Sequence, residues 1–163
     1  MNALIVIMGV SGCGKSTIGS KLSAQLSAPF LEGDDFHPKA NIEKMTRGEA
    51  MTDEDRAAWL DAIAAKVSAS HAPLLVLACS ALTPYVQTRL RNAADREITW
   101  VWLSAPKSII EARLKARESH FMPASLLGSQ LDALSPPKDA LKIDVSTEPQ
   151  NVVSTILQKI GTL

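Results

Sequence analysis

The chain has 163 residues, 46% of them hydrophobic, which is enough to bury one core and predicts a single domain over residues 1–163. Its 17 basic and 17 acidic residues give a formal net charge of zero, which argues against a nucleic acid or an anionic membrane as a partner. The apolar stretch at residues 3–9 is too short for a membrane span and lacks the basic lead of a signal peptide. Cys13 and Cys79 form neither a metal spacing nor a disulfide framework, so we expect a cytoplasmic location.

Short aliphatic runs alternate with amphipathic segments along the chain. Helices are predicted at 15–26 and 53–69, where apolar residues recur at every fourth position. The alternation predicts an α/β fold, with a parallel five-stranded sheet, helices on both faces and ligands at the carboxyl ends of the strands. The predicted strands are 4–8, 29–31, 74–78, 98–103 and 141–145.

The segment GVSGCGKS at residues 9–16 matches the phosphate-binding pattern G-x-x-x-x-G-K-[ST] in full. Its glycines let backbone N–H groups turn toward phosphate oxygens, and the helix that follows adds its positive end. Lys15 is predicted to neutralise the β- and γ-phosphates of ATP, and Ser16 to ligate Mg²⁺. The alternative is an ordinary glycine- and serine-rich turn with a surface lysine. The predicted nucleotide contacts in this loop are Gly9, Val10, Ser11, Gly12, Cys13, Gly14, Lys15, Ser16 and Thr17.

The remaining motifs exclude a GTPase switch, because the sequence has neither the base-reading N-K-x-D nor a D-x-x-G after a later strand. The third predicted strand ends in Cys79-Ser80 and not in the aspartate that usually directs the metal in P-loop proteins. The acid that serves the metal must therefore come from another part of the chain.

Three acids follow the second predicted strand in the segment EGDD at residues 32–35. A strand that ends there would place Glu32 and Asp34 beside the P-loop. In small-molecule kinases of this architecture, such an acid orients or deprotonates the acceptor hydroxyl. We therefore predict Asp34 as a catalytic acid and Glu32 as a metal group that acts through water. A helix-entry turn is the alternative, since aspartate is a good N-cap.

The segment GDDFHPKANIEKMTRGEAMTDEDRAAWL at 33–60 resembles the gluconokinase signature, which runs close to G-D-x-x-H-P-x-x-N-x-x-K-M-x-x-G-x-P-L-x-D-x-D-R-x-x-W-L. Ala50-Met51 stands where the signature has Pro-Leu. A second stretch, RLKARESHFMPASLLGSQLDAL at 113–134, is similar to the lid sequence of the same family. The residues that fit the signature are Gly33, Asp34, His37, Pro38, Asn41, Lys44, Met45, Gly48, Asp53, Asp55, Arg56, Trp59 and Leu60.

The resemblance implies a P-loop kinase that transfers the γ-phosphate of ATP to the 6-hydroxyl of D-gluconate with Mg²⁺. It also implies a helical lid at about 113–132, a substrate-binding segment at about 33–60 and a possible homodimer. A sugar acid needs a cationic partner and several hydrogen-bond donors, so substrate contacts are expected over Asp34. The alternatives are that His37 only closes a turn before Pro38, that Lys44 lies at a solvated helix end, and that His120 closes a turn of the lid. The expected substrate contacts are Asp34, His37, Lys44, Arg56, Ser80, His120 and Gln130.

Arg113 and Arg117 lie one turn apart on a predicted helix, so both can point at the phosphates when a lid closes. Arginines that arrive with closure exclude water and favour transfer over hydrolysis. Arg117 is therefore predicted as catalytic, and Arg113 as a nucleotide contact. The alternative is that the two arginines are exposed and form ion pairs with Glu111 or Glu118.

The sequence departs from the family pattern after the third strand, where the usual C-S-A-L-K-x-x-Y-R-D reads CSALTPYVQT. Thr83 replaces the lysine, and Val86-Gln87-Thr88 replaces Tyr-Arg-Asp. Either these groups serve the fold, or the protein binds gluconate differently or prefers another sugar acid. Two further hypotheses are a kinase for another hydroxy acid such as shikimate, and a regulator that binds ATP without catalysis.

Overall fold

A computed structural model describes residues 2–117 and 126–161, and the strands lie close to the predicted positions. The third strand has the predicted bounds, and the other four differ from prediction by one residue at one or both ends. The strands are β1 (Ala3–Met8), β2 (Phe30–Glu32), β3 (Leu74–Ala78), β4 (Glu97–Ser104) and β5 (Leu141–Asp144). They form one parallel sheet in the order β2-β3-β1-β4-β5, which confirms the predicted sheet.

Helices connect the strands and begin where the sequence provides capping groups. Thr52 and Asp55 form a capping box at the start of one helix, and Thr83 caps another that has Pro84 in its first turn. A short 3₁₀ helix, Gly33–Phe36, follows β2. The described helices are α1 (Lys15–Leu26), α2 (Lys39–Thr46), α3 (Asp53–Ser68), α4 (Pro84–Ala94), α5 (Lys107–Lys115), α6 (Leu127–Ala133) and α7 (Pro149–Ile160).

The central strand β1 is buried on both faces, which explains its uninterrupted aliphatic sequence. Leu4, Val6 and Met8 pack on one face with α3 and α4. Ile5 and Ile7 pack on the other face with α1 and α7. The expected arrangement of helices on both faces of the sheet is therefore confirmed.

A third apolar cluster joins α5 and α6 to the loop after β1. It contains Val10, Leu82, Ile110, Leu114 and Leu127. This cluster anchors the described ends of the predicted lid, because α5 precedes residues 118–125 and α6 follows them. Within residues 2–117 and 126–161, no helix is long and apolar enough to cross a membrane.

The sheet order fixes where a ligand would bind. The connection that leaves β1 passes β3 and leads to β2 at the edge of the sheet. The connection that leaves β3 runs in the opposite direction, past β1, and leads to β4. The carboxyl ends of the adjacent strands β1 and β3 therefore form a switch point, where α/β proteins open a crevice. The loop GVSGCGKS leaves β1 at this point, and Ser80 follows β3.

Candidate active site

The phosphate-binding loop packs tightly against the end of β4. Gly9 has a φ of 147°, and a Cβ at this position would lie 2.9 Å from the carbonyl oxygen of Leu103, so a larger residue has no room. Gly14 is the N-cap of α1, and among the described residues no side chain caps this helix. The N–H groups of its first turn are therefore placed to bind a phosphate.

Lys15 lies across this loop. Its ammonium group donates a hydrogen bond to the carbonyl oxygen of Val10 at 3.0 Å. The side chain also lines a cavity of about 300 Å³ at the carboxyl end of the sheet. The arrangement places a positive charge where the loop N–H groups converge, as a bound polyphosphate requires.

Ser16 and Glu32 meet at the start of α1. The Ser16 hydroxyl donates a hydrogen bond to the Glu32 carboxylate, and the other carboxylate oxygen accepts from the N–H of Asp34 at 3.4 Å. Burial raises the pKa of Glu32, although the hydrogen bond from Ser16 opposes this rise. A hydroxyl beside a carboxylate is an oxygen donor set that fits Mg²⁺.

The described residues contain no cluster of three or more His, Cys, Asp or Glu that would bind a metal by itself. Mg²⁺ usually keeps several waters and completes its shell with substrate phosphates. The metal role of Ser16 and Glu32 stays a prediction.

The first cavity, which Lys15 lines, extends from the phosphate-binding loop to α3, α4 and α6. Asp34 lines it together with Lys15, and Arg56, from α3, contributes a second cation. The Arg56 side chain is 19% exposed, and its guanidinium donates to the Asp53 carboxylate at 3.3 Å. The residues predicted from the sequence as part of the site that do line this cavity are Ser11, Gly12, Gly14, Lys15, Ser16, Asp34, His37, Arg56, Ser80, Arg117 and Gln130.

Lys44 is the predicted substrate contact that the structure does not bring to this cavity. Its ammonium donates to the Asp55 carboxylate at 2.7 Å, so the lysine braces α2 against α3. The hydrogen bond from Lys44 lowers the pKa of Asp55 to about 2. Asp55 also accepts from the N–H of Thr52, which completes the capping box of α3.

A second cavity, of about 390 Å³, lies on the other side of the phosphate-binding loop. Thr17 and Arg113 line it together with residues 145–149 and Val152. The Arg113 guanidinium donates to the carbonyl oxygen of Val145 at 2.5 Å, which connects α5 to the segment after β5.

Arg117 lines both cavities, as do Gly12 and Gly14. A nucleotide in the second cavity and an acceptor in the first would therefore meet beside Arg117, over the phosphate-binding loop. From α6, the Gln130 side chain reaches the same loop and accepts a hydrogen bond from the N–H of Ser11 at 2.7 Å. His120, another predicted contact, lies outside the described residues.

One wall of the first cavity was not predicted as part of the site. Leu82 and Thr83, in the loop between β3 and α4, line it together with Val86 of α4, and Met45 and Met51 also line the cavity. The sequence departure after β3 thus gives the cavity an uncharged wall. One local signal in the sequence indicated how this wall is built. A threonine before a proline is typical of a helix start, and Thr83 does cap α4.

Comparison with known proteins identifies the family of the chain. A family model described as an AAA domain matches residues 4–137. The thermoresistant gluconokinase of Escherichia coli (strain K12) is 37% identical over 163 residues, which cover 96% of this chain and 93% of that protein. The gluconokinase of Arabidopsis thaliana is 40% identical over 174 residues, which cover 97% of this chain and 92% of that protein.

Solved structures give the same result. A gluconokinase from Sinorhizobium meliloti 1021 superposes with a TM-score of 0.86 at 36% identity, over 98% of this chain and 92% of that chain. The shikimate kinase from Aquifex aeolicus vf5 superposes with a TM-score of 0.68 at 19% identity, over 97% of this chain and 96% of that chain, and shares the fold alone. The chain therefore carries an AAA-type P-loop domain and belongs to the gluconokinase family.

Proposed function

We propose that this protein transfers the γ-phosphate of ATP to the 6-hydroxyl of D-gluconate. The observation that carries the proposal is the cavity that Asp34, Lys15 and Arg56 line together beside the phosphate-binding loop. The relatives named gluconokinases, which align over nearly the whole chain, support the choice of gluconate as acceptor.

In this mechanism the two cavities bind the two substrates. The nucleoside occupies the side lined by Arg113 and residues 145–149, and the triphosphate lies along the loop N–H groups with Lys15 at its β- and γ-phosphates. The gluconate carboxylate pairs with Arg56, because Lys15 and Arg117, the other arginine and lysine side chains that line the first cavity within the described residues, serve the phosphates. The terminal hydroxyl then lies near Asp34.

Asp34 orients that hydroxyl and accepts its proton as the oxygen forms a bond to the γ-phosphorus. The bond between the γ-phosphorus and the bridging oxygen of ADP breaks in the same displacement. Lys15 and Arg117 offset the charge on the transferred group, which is the main contribution a protein makes to phosphoryl transfer. Mg²⁺, when bound beside Ser16 and Glu32, would supply further neutralisation of the phosphate oxygens.

Closure of the segment at about 113–132 is part of the proposal. Arg113 and Arg117 precede residues 118–125, and Gln130 follows them on α6, so both described ends of the segment already contact the nucleotide side or the P-loop. Closure over the substrates would exclude water and favour transfer to the sugar acid over hydrolysis.

A second candidate is a kinase for a different hydroxy acid, and the uncharged wall of Thr83 and Val86 favours it. A wall without cations offers no partner for a carboxylate on that side of the cavity. The acceptor acid would then bind by Arg56 alone, and its length and hydroxyl pattern would decide whether its terminal oxygen reaches Asp34.

The test is ADP release from Mg-ATP by the purified protein with D-gluconate, related aldonates, shikimate or no acceptor. We expect strong release with gluconate, and a product phosphorylated at the terminal hydroxyl. Release with a different acid alone would support the second candidate. ATP binding without release with any acceptor would contradict both and favour a regulator.

A further inference from the structure

The ring of His37 is buried beneath the first cavity, the one lined by Lys15 and Asp34. Its side chain is 2% exposed, and it stacks on Trp59 with the ring centroids 4.3 Å apart and an interplanar angle of 13°. The indole N–H of Trp59 donates to the carbonyl oxygen of Gly33 at 2.8 Å, so the same tryptophan fixes the backbone beside Asp34. The stack leaves the imidazole plane with little freedom to turn.

Asn41 determines which nitrogen of His37 carries the proton. The Asn41 side-chain nitrogen lies 2.7 Å from the carbonyl oxygen of Asp55, and a carbonyl only accepts, so this atom must be the amide NH₂. The same nitrogen lies 3.4 Å from Nδ1 of His37. An amide nitrogen donates and does not accept, so Nδ1 must be the unprotonated acceptor. The proton of the neutral ring is therefore on Nε2.

The surroundings of His37 keep the ring neutral. Burial lowers the pKa of His37 from 6.5 to about 4, the nearby Asp34 carboxylate opposes this, and Arg56 lowers it further. These two charged side chains come from the 3₁₀ helix and from α3, and α2 contributes the uncharged Asn41 amide beside the ring. Near neutral pH the imidazole thus presents one N–H donor and no positive charge.

That donor faces the acid proposed to act on the acceptor. Nε2 of His37 lies 4.0 Å from Oδ1 of Asp34, and such contacts shorten when a substrate completes the site. We propose that His37 is a positioning residue, held by Asn41 in the Nε2–H tautomer so that it donates a hydrogen bond to an Asp34 carboxylate oxygen and fixes the direction of that carboxylate. The proposal rests on the catalytic role proposed above for Asp34.

A neutral donor suits this task better than a charged one. An imidazolium would stabilise the Asp34 carboxylate strongly and reduce its tendency to take a proton from the hydroxyl. A neutral N–H fixes the direction of the carboxylate with a smaller effect on its basicity. His37 acts through Asp34 in this scheme, so its removal should affect turnover more than gluconate binding.

The first test needs no substrate. The chain contains three histidines, so nitrogen NMR of histidine-labelled full-length protein, compared with the His37→Gln variant, assigns the His37 signals. We expect an unprotonated Nδ1 and a protonated Nε2 between about pH 5 and 8. A proton on Nδ1, or a charged ring at neutral pH, would overturn the proposal whether or not gluconate is the substrate.

The second test separates positioning from packing. His37→Gln places an amide N–H near the position of Nε2, whereas His37→Asn places one near Nδ1, and both lose the stack on Trp59. We expect His37→Gln to keep kcat within about tenfold of wild type and His37→Asn to lose about 100-fold. Both variants should keep a nearly unchanged KM for the acceptor that the wild type uses.

The assay uses whichever acceptor gives ADP release with the wild type, so a wrong substrate assignment leaves the comparison intact. Equal loss of kcat in the two variants would show that the ring serves packing, and would overturn the proposal. A change in the acceptor KM with kcat unchanged would make His37 a direct substrate contact and would also overturn it. The NMR result decides the case if either variant fails to fold.

Discussion

The backbone N–H of Ser11 donates a hydrogen bond to the side-chain carbonyl of Gln130 at 2.7 Å, which connects the phosphate-binding loop to α6 across 119 positions of sequence. Ser11 is 7% exposed, and its hydroxyl has no hydrogen-bond partner within the described residues. The side chain of Gln130 therefore lies where a phosphate oxygen would approach the loop.

This contact predicts a difference between two substitutions at Gln130. Gln130→Ala removes one hydrogen bond and should raise the KM for ATP by about 2- to 10-fold. Gln130→Glu places a negative charge beside the phosphates, and we expect a rise of more than about 30-fold because like charges at such distances repel by several kcal/mol. The measurement is the initial rate of ADP release against ATP concentration.

Gly128→Ala is the matched control on the same helix, because an added Cβ there meets no atom of the described residues within 4 Å beyond its own helix backbone and its chain neighbours. Its KM for ATP should equal that of the wild type. Equal KM values for Gln130→Ala and Gln130→Glu would mean that this side chain stays away from the phosphates during turnover.

The proposed catalytic role of Asp34 predicts a loss of turnover without a loss of structure. Asp34→Asn keeps the shape of the side chain but cannot accept the proton, so kcat should fall at least about 100-fold. Lys15→Ala should also reduce kcat by at least that factor, because it removes charge from the phosphate site. Asp35→Asn is the control, since Asp35 is the exposed neighbour and does not line the cavity. Turnover near the wild-type value in folded Asp34→Asn would exclude Asp34 from the mechanism.

Local patterns in the sequence were sufficient to predict the fold and much of the site. The strands β1 and β3 are aliphatic runs buried on both faces, and the phosphate-binding loop is specified by consecutive residues, so neither required knowledge of distant contacts. The meeting of Ser16 with Glu32 also followed from strand order, because the carboxyl ends of parallel strands share one edge of the sheet.

The remaining features depended on partners that no local pattern reveals. Lys44 looked like a substrate cation, but the turn between α2 and α3 brings Asp55 within 2.7 Å of its ammonium. Val86 and Gln87 are neighbours in the sequence, yet helical geometry turns Val86 to the cavity and buries Gln87 elsewhere. The sequence alone could not decide whether the altered segment served the substrate or the fold.

Gln87 gives a direct test of that question. Its side-chain amide donates to the carbonyl oxygens of Ala81 at 2.9 Å and Ser135 at 2.8 Å, which ties α4 to the segment after α6. Gln87→Ala leaves both carbonyls without this donor, so the free energy of unfolding should fall by about 1–3 kcal/mol. Urea denaturation measures this change.

Thr88→Ala is the control for Gln87→Ala, because Thr88 is the next residue on α4 and is exposed. Its free energy of unfolding should lie within about 0.5 kcal/mol of the wild-type value. A Gln87→Ala protein as stable as wild type, but with a raised KM for gluconate, would assign this position to substrate binding and contradict the structural role.

The buried His37 predicts that stability falls in mild acid. Its pKa is lowered from 6.5 to about 4 by burial, so between these values the unfolded chain binds a proton that the folded protein does not. His37 therefore makes its full contribution to the free energy of unfolding above about pH 6.5, and this contribution falls as the pH decreases toward 4. Since one pKa unit corresponds to about 1.4 kcal/mol, the loss amounts to about 3 kcal/mol.

Other titrating groups require a difference measurement. The raised pKa of Glu32 acts in the opposite direction, because the folded protein binds that proton more readily than the unfolded chain. The lowered pKa of Asp55 affects stability only as the pH falls below the ordinary aspartate value of 3.8. Subtracting the urea-unfolding profile of His37→Gln from that of the wild type cancels both contributions. The difference should decrease steadily from pH 6.5 to pH 4, and a flat difference would mean that His37 titrates normally in the folded protein and is not held neutral beneath the cavity.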